Sequence, residues 1–307
     1  MANTTSHSVS IIIPNWNGLE LLKKHLPSVM KHSDGAHIII VDDHSTDESV
    51  SYVQTKFPDI TIIRKNTHEG FTSTVNAGVK EANTDIVVLL NTDIEPEKNF
   101  LKPLFSHFFD SGVFAVGCMD KSVENGKKLL RGRGIGWWEK GFYIHKRGEV
   151  NESVTAWVSG GSGAFRRSMW NELGGMDTIF NPFYWEDIDL SYRARKAGWK
   201  TLFEPKSLVV HFHEEGKIKK EYTEKEIKRI AYRNQFIFIW KNCTDWKILL
   251  IHSIWLPIRL IQAFFRGDFS LIWGCIEALW NLPKIIQRRC MQQRFSHLSD
   301  SDLNMSH

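Results

Sequence analysis

Polar and acidic loops follow apolar runs at three places in the first hundred residues: NWNG after VSIIIP, DDHSTD after HIIIV, and NTD after DIVVLL. At the last of these, Asn91, Thr92 and Asp93 end a run suited to a buried strand. A carboxylate just beyond such a strand can hold Mg2+ or Mn2+, hard ions that prefer oxygen ligands and share them with phosphates. Asn and Asp are also common turn residues, so the tripeptide alone fits an ordinary turn. Asp42 and Asp43 would stand at the same edge, where a carboxylate accepts hydrogen bonds from a pyrimidine N–H or from ribose hydroxyls. Helix capping accounts for Ser45 or Asp47 but leaves that pair unexplained. Trp16 offers a face on which a base can stack, or is simply a half-buried tryptophan.

A second group lies after residue 150. In WEDIDLSYRARK, Glu186, Asp187 and Asp189 open a helical pattern that Arg193, Arg195 and Lys196 close. Acid early and base late complement the helix dipole, and Glu186, Asp189 and Arg193 share one face. Asp187 points elsewhere, toward whatever precedes the helix, where it could take a proton from a hydroxyl or merely complement the dipole. Gly160, Gly161 and Gly163 surround Ser162, which lets backbone approach a ligand or simply makes a flexible turn. No Lys-Ser/Thr follows, so the stretch is not a P-loop. His211 and His213 alternate on a strand pattern and face the same way, as structural residues or as metal ligands.

These groups need a scaffold. VSIIIP (9–14), HIIIVD (37–42), ITIIR (60–64), DIVVLL (85–90) and VFAVGC (113–118) are near-continuous Val/Ile-rich runs suited to strands covered on both faces. Gly18–Lys31, Asp47–Phe57, Thr72–Ala82 and Lys98–Ser111 carry helical patterns between them. The alternation predicts an α/β fold with a mostly parallel, Rossmann-like sheet, in which ligands bind beyond the carboxyl ends of the strands. Residues 119–150 read as an irregular excursion or hairpin, Arg167–Leu173 as a helix, and Thr201–Phe203 with Leu208–His213 as a strand pair.

The whole chain is ordinary for a globular protein. Its 307 residues are 42% hydrophobic and 24% charged, and a net charge of +4 carries no nucleic-acid footprint. Four scattered cysteines without a Cys-x-x-Cys point to reduced thiols in the cytoplasm, and MANTTSHSVSIIIP has no signal-peptide pattern. From Lys217 a charged stretch leads into two apolar segments, 247–265 and 269–283. Their polar residues form single stripes: His252, Arg259, Gln262 and Arg266, then Ser270, Glu277, Asn281, Lys284 and Arg288. Trp255, Phe264, Phe265, Trp273 and Trp280 occupy the remaining face. With the basic run Lys284, Arg288, Arg289 and Arg294, this suits helices lying in a membrane interface; packing on the chain's own domain or on a second subunit is the alternative.

Taken in order, IIIPNWNG, IIIVDDHSTD, the stretch Asn66…Gly70…Asn76, LLNTD, VSGGSGAF…LGGMD and FYWEDIDLSYRARKAGWK…VVHFH resemble glycosyltransferase family 2 over residues 8–215. The likeness is to its inverting, GT-A-fold members, especially the rhamnosyltransferase-like branch of bacterial polysaccharide assembly. That resemblance implies a nucleotide site at Pro14, Asn15, Trp16, Asp42, Asn66, Gly70, Asn76 and Asn91, with Trp16 stacking on the base and Asp42 contacting it. It implies Mg2+ or Mn2+ at Asp93 and His211, Asp187 as catalytic base beside Glu186, and donor or acceptor sugar contacts at Gly160, Gly161 and Ser162. Asn91 stands where the family's metal motif has its first carboxylate, so the ion would lose one anionic ligand. The partners implied are a nucleotide-sugar donor, dTDP- or UDP-linked, and a glycan or lipid-linked acceptor. A peripheral position on the inner face of the plasma membrane would follow, with a transferase domain over 1–215, a helical region over 216–295 and a flexible tail over 296–307. The rival readings are a nucleotidyltransferase, whose phosphate loop NWNGLELL does not supply, and a non-catalytic nucleotide-sugar binding module or membrane scaffold.

Overall fold

The computed structural model describes residues 7–124, 127–212, 215–216 and 218–305; His213 lies outside them. The first part of the chain alternates as expected: β1 (Val9–Asn15), α1 (Leu19–His32), β2 (His37–Asp42), α2 (Ser49–Lys56), β3 (Thr61–Arg64), α3 (Phe71–Glu81) and β4 (Ile86–Leu90). β5 (Ile94–Pro96), α4 (Leu101–His107), β6 (Val113–Glu124), β7 (Lys127–Arg131), β8 (Gly134–Glu139), β9 (Phe142–Arg147), β10 (Ser162–Arg166) and α5 (Arg167–Glu172) follow. Then come α6 (Glu186–Lys196), β11 (Lys200–His211), α7 (Ile218–Glu221), α8 (Glu224–Asn242), α9 (Trp246–Phe265), α10 (Phe269–Trp280) and α11 (Leu282–Gln292).

The strands form one mixed sheet in the order β3-β2-β1-β4-β10-β6-β11-β5, and β7 pairs with the far end of β6. β3, β2, β1 and β4 are parallel. β10 then enters antiparallel between β4 and β6. The near-continuous apolar runs are explained by alternation between two covered faces. Ile11, Ile13, Ile38, Ile40, Ile86, Val88 and Leu90 pack under α1, α2 and α4. Ile12, Ile39, Val41, Val87 and Leu89 pack under α3, α5 and α6. Each such side chain contributes about 1.5–3 kcal/mol by its burial. α3 lies so close that a Cβ on Gly78 would come within 2.5 Å of Ile12.

One expectation changes: the strand pair near residues 201–213 is one strand, β11, whose register against β6 shifts between Glu204 and Leu208. Over 119–150 the hairpin alternative holds: β6 runs on to pair with β7, and β8 and β9 form a separate hairpin. Phe236–Ile239 of α8 share a core with Phe142, Tyr143, Phe180, Trp185, Ile188 and Tyr192.

The first half of the polar stripe of α9, His252 and Arg259, is turned inward, while Gln262 and Arg266 are exposed. His252 is buried, its Nδ1 bonded to the Gly141 carbonyl at 2.9 Å while Trp240 Nε1 donates to its Nε2 at 3.0 Å. The Arg259 guanidinium lies 4.2 Å over the Phe142 ring. On α10, Glu277 pairs with Arg229 of α8. Trp255 is half-buried on this inner side, under Lys140. The apolar side therefore faces outward: Leu250, Ile254, Ile261, Phe264, Phe265, Phe269, Trp273 and Trp280 are exposed. By length and composition α9 is long and apolar enough to cross a membrane.

The tail is held down. Asp300 is fully buried and accepts from Tyr192 Oη at 2.5 Å, Lys196 Nζ at 2.9 Å and the Thr244 and Asp245 amides at 2.6 and 2.7 Å. Asn304 and Met305 bond to the β8 backbone.

Candidate active site

Two carboxylates open the site. Asp93 follows β4 in a turn closed by Ile94 N to Asn91 O at 3.2 Å, which is the turn reading of this tripeptide. The Asp93 carboxylate is 3.3 Å from Nε2 of His211, at the end of β11. His211 Nδ1 is 3.1 Å from Asp120, beyond the expected end of β6. Burial works against the imidazolium, but the two carboxylates outweigh it and push His211 up to about 9. His25, bridging Glu95 and Glu215 at 2.7 and 3.1 Å, stacks on Phe212 and pins the chain next to His211.

This donor set fits a divalent cation. A carboxylate oxygen and an imidazole nitrogen face one another, and Asp120 orients the ring as an outer carboxylate does for a ligating histidine. Among the described residues no group of three His, Cys, Asp or Glu side chains is arranged to hold a metal ion by itself, so an ion here would take its remaining ligands from diphosphate oxygens and water. Asp120 went unnoticed in the sequence. Its place beyond VFAVGC, at a strand's carboxyl end, was the available signal.

The glycine loop joins this side to the second carboxylate. Asn91 N donates to Gly161 O at 3.0 Å, and Gly160 N donates to Asp187 Oδ2 at 3.3 Å. A Cβ on Gly161 would lie 2.7 Å from Nδ2 of the Asn91 side chain, which would have to move aside. Ser162 is buried as the first residue of β10, in register with Leu90, and serves the sheet.

Glu186 and Asp187 begin α6. Burial raises both carboxyls, and the Asp187 charge raises Glu186 further, well above the usual carboxylate range. Asp187 is eased by the Ile188 and Gly160 amides at 2.8 and 3.3 Å. Glu186 Oε2 has no partner. Two buried carboxyls this close resist being charged together, and each is harder to ionise than an ordinary carboxylate.

The nucleotide side is more closed than the sequence implied. Asp42 is fully buried; it accepts from Asn15 Nδ2 at 2.9 Å, its register partner on β1, and from Ser45 N at 3.0 Å. Neither Asn15 nor Asp42 presents a polar group to the open edge. Asp43 instead gathers that loop, accepting from Lys65 Nζ at 2.7 Å and the Glu69 and Gly70 amides at 3.1 and 2.8 Å. Burial opposes its charge, but these donors hold Asp43 below the usual range. Trp16 does stack, on His68, with ring centroids 4.2 Å apart. Asn76 is used up by the Met176 backbone, donating at 2.8 Å and accepting at 3.0 Å, and so shapes the LGGMD turn. Pro14 is half-buried inside β1, Asn66 is exposed, and Gly70 holds a left-handed turn with φ 89°.

The sequence profile of Glycosyl transferase family 2 matches residues 10–174, more than half of the chain. The chain is 28% identical over 214 residues to the pre-mycofactocin glycosyltransferase of Mycobacterium tuberculosis, covering 67% of this chain and 43% of that protein. It is 23% identical over 205 residues to that organism's N-acetylglucosaminyl-diphospho-decaprenol L-rhamnosyltransferase, covering 57% and 66%. The chain thus spans less than half of the first relative and about two thirds of the second. GalNAc-T7 with UDP, GalNAc and Mn2+ superposes with a TM-score of 0.67 at 18% identity, covering 92% of this chain and 58% of that one. The mannosyltransferase PcManGT from Pyrobaculum calidifontis with GDP-Man and Mn2+ gives 0.57 at 16% identity, covering 95% and 86%. These likenesses show a GT-A type of fold, and from the profile match the chain belongs to glycosyl transferase family 2.

Proposed function

We propose that the chain is an inverting glycosyltransferase that moves a sugar from a dTDP- or UDP-linked donor to a hydroxyl of a glycan or lipid-linked acceptor in bacterial cell-surface polysaccharide assembly. The carrying observation is the two-step link across the glycine loop, from Asn91 through Gly161 and Gly160 to Asp187. It sets a candidate base beside the strand end that bears Asp93. Relatives named for rhamnosyl and other glycosyl transfer, and neighbours solved with sugar nucleotides or UDP and Mn2+, support the reading.

Asp93 and His211 would hold Mg2+ or Mn2+, which when bound supplies Lewis-acid stabilisation to a leaving diphosphate. Asp187 takes the proton of the acceptor hydroxyl, whose oxygen attacks the anomeric carbon opposite the nucleotide and inverts it. Glu186, buried beside Asp187 with Oε2 unpartnered, is the group that would orient the acceptor or the base. Gly160 N steadies the Asp187 carboxylate. Trp16, with His68 against it, flanks the nucleotide side. Nucleotide release from a panel of dTDP-, UDP- and GDP-sugars tests the reading; Asp187→Asn lowers kcat by about 10²–10⁴-fold. Full activity in that variant would remove the base assignment, and binding of a donor without turnover by the wild type would favour a non-catalytic module.

The outward apolar face of α9 and α10 supports a position on the cytoplasmic surface of the plasma membrane, where exposed Lys247, Arg266, Lys284 and Arg294 would meet anionic headgroups. Wild-type protein co-sediments with phosphatidylglycerol vesicles, and Phe265→Ser with Trp280→Ser releases it. A lipid-free dimer that buries α9 and ignores vesicles would refute this.

A further inference from the structure

We propose that Asn234 of α8 is a positioning residue for the Glu186–Asp187 pair, holding the left-handed turn from which the catalytic helix starts; the inference rests on the glycosyl-transfer reading only for the role of that pair. The chain enters α6 through Tyr184 and Trp185, at φ 70° and 76°. Both have large side chains, for which this region is costly, and Trp185 as N-cap makes no side-chain capping bond. Something outside the segment must hold it there.

Asn234 does so. It is fully buried, and its Nδ2 lies 2.8, 3.0 and 2.9 Å from the carbonyls of Phe180, Phe183 and Tyr184. Arg233 Nε donates to Asn234 Oδ1 at 3.0 Å, which fixes the amide's orientation, and Arg233 Nη2 donates to the Asn181 carbonyl. Asn181 reaches across to the Glu69 carbonyl at 2.7 Å, beside the amides that hold Asp43. Trp185 packs on His145 of β9 and on Phe238, one turn along α8 from Asn234, with ring centroids at 4.8 and 5.1 Å. The two N–H bonds of one amide thus reach three carbonyls around this turn, one of them shared, and set the direction of the first turn of α6. Without it, Tyr184 and Trp185 relax toward ordinary backbone angles, and Asp187 turns away from Gly160.

The test uses the full chain. Asn234→Asp keeps the shape and replaces the amide donor with an acceptor. With the donor that the wild type turns over, kcat falls about 100-fold while donor affinity stays within about twofold, as a small misplacement of a reacting group requires. Tyr184→Gly, which adopts a positive φ freely, recovers part of the lost kcat in the Asn234→Asp background. Asn234→Ser, which retains one small donor and adds no charge, gives the same split with a smaller loss and serves if the aspartate variant folds poorly. Wild-type kcat in these variants, beside an inactive Asp187→Asn, overturns this inference and leaves the transfer reading standing. Equal losses of donor binding and kcat also overturn it. Hydrogen exchange over residues 180–189 rises in either variant; exchange at the wild-type rate overturns the inference whatever the activity assay gives.

Discussion

The nucleotide side and the acceptor side of the cleft are built in different ways. On the nucleotide side, Asp42, Asp43, Ser45 and Trp16 are held by residues on adjacent strand ends, such as Asn15, Lys65, His68 and Gly70. On the acceptor side, α6 is held by residues remote in sequence. Lys241 of α8 bonds Asp189 and Asp177 at 2.7 and 2.8 Å, Asn242 bonds Asp189 at 2.8 Å, and Asp300 of the tail holds Tyr192 and Lys196. On the proposed reading, the nucleotide would meet short loops that a parallel sheet aligns by its own register. The base would sit on a helix whose pose is set by a shared core and buried ion pairs.

Breaking the acceptor side has the larger effect. Lys241 is buried between two carboxylates that it neutralises together with Arg193. Lys241→Met leaves uncompensated charge and destabilises the fold by about 3–5 kcal/mol, read by urea unfolding. On the nucleotide side, Asp43→Asn loses charge-assisted bonds to Lys65 and two amides, costing about 1.5–3 kcal/mol in the same measurement. The sign follows from linkage: Asp43 is depressed in the fold, so its contribution is present above the unfolded value of about 3.9 and disappears as pH falls through the lower folded value. The cost of Asp43→Asn therefore shrinks in acid.

Glu186 has the opposite sign. Its folded value is raised by burial and by Asp187, so its contribution is complete below the unfolded range and is lost as pH rises toward the folded value. Glu186→Gln removes that burden and raises Tm at pH 7 by about 2–4 °C, by scanning calorimetry, with no gain at pH 4. Its kcat falls far less than that of Asp187→Asn, because a neutral amide still donates a hydrogen bond. A loss as large as that of Asp187→Asn would show that Glu186 works as an anion and would weaken the contrast between the two carboxyls.

The sequence was most legible where structure is local. The first four strands and the helices after the first three could be read because Val/Ile runs between two covered faces differ visibly from amphipathic helices. Asp93 and Asp187 stood out for the same reason, one at a strand end and the other in a helix's first turn. Asp120 was hidden because β6 runs beyond its apolar stretch to pair with β7. Asn234 and Lys241 look like ordinary helix residues until the carbonyls and carboxylates they serve are seen. On α9, periodicity separates polar from apolar residues but cannot say which side faces the protein. His252 and Arg259 turn inward because Gly141, Trp240 and Phe142 receive them.

The amino-acid order by itself determined the strand–helix alternation, the acids at strand ends and the acidic start of α6, since these depend on side-chain type and on repeats of two or 3.6 residues. Only the tertiary structure decided that β10 lies antiparallel beside β4, so that Gly160 and Gly161 link Asn91 to Asp187, and that α8 grips the turn before α6. Those outcomes depend on groups far apart in the chain finding hydrogen-bond partners in a shared interior, and no local pattern records such a pairing.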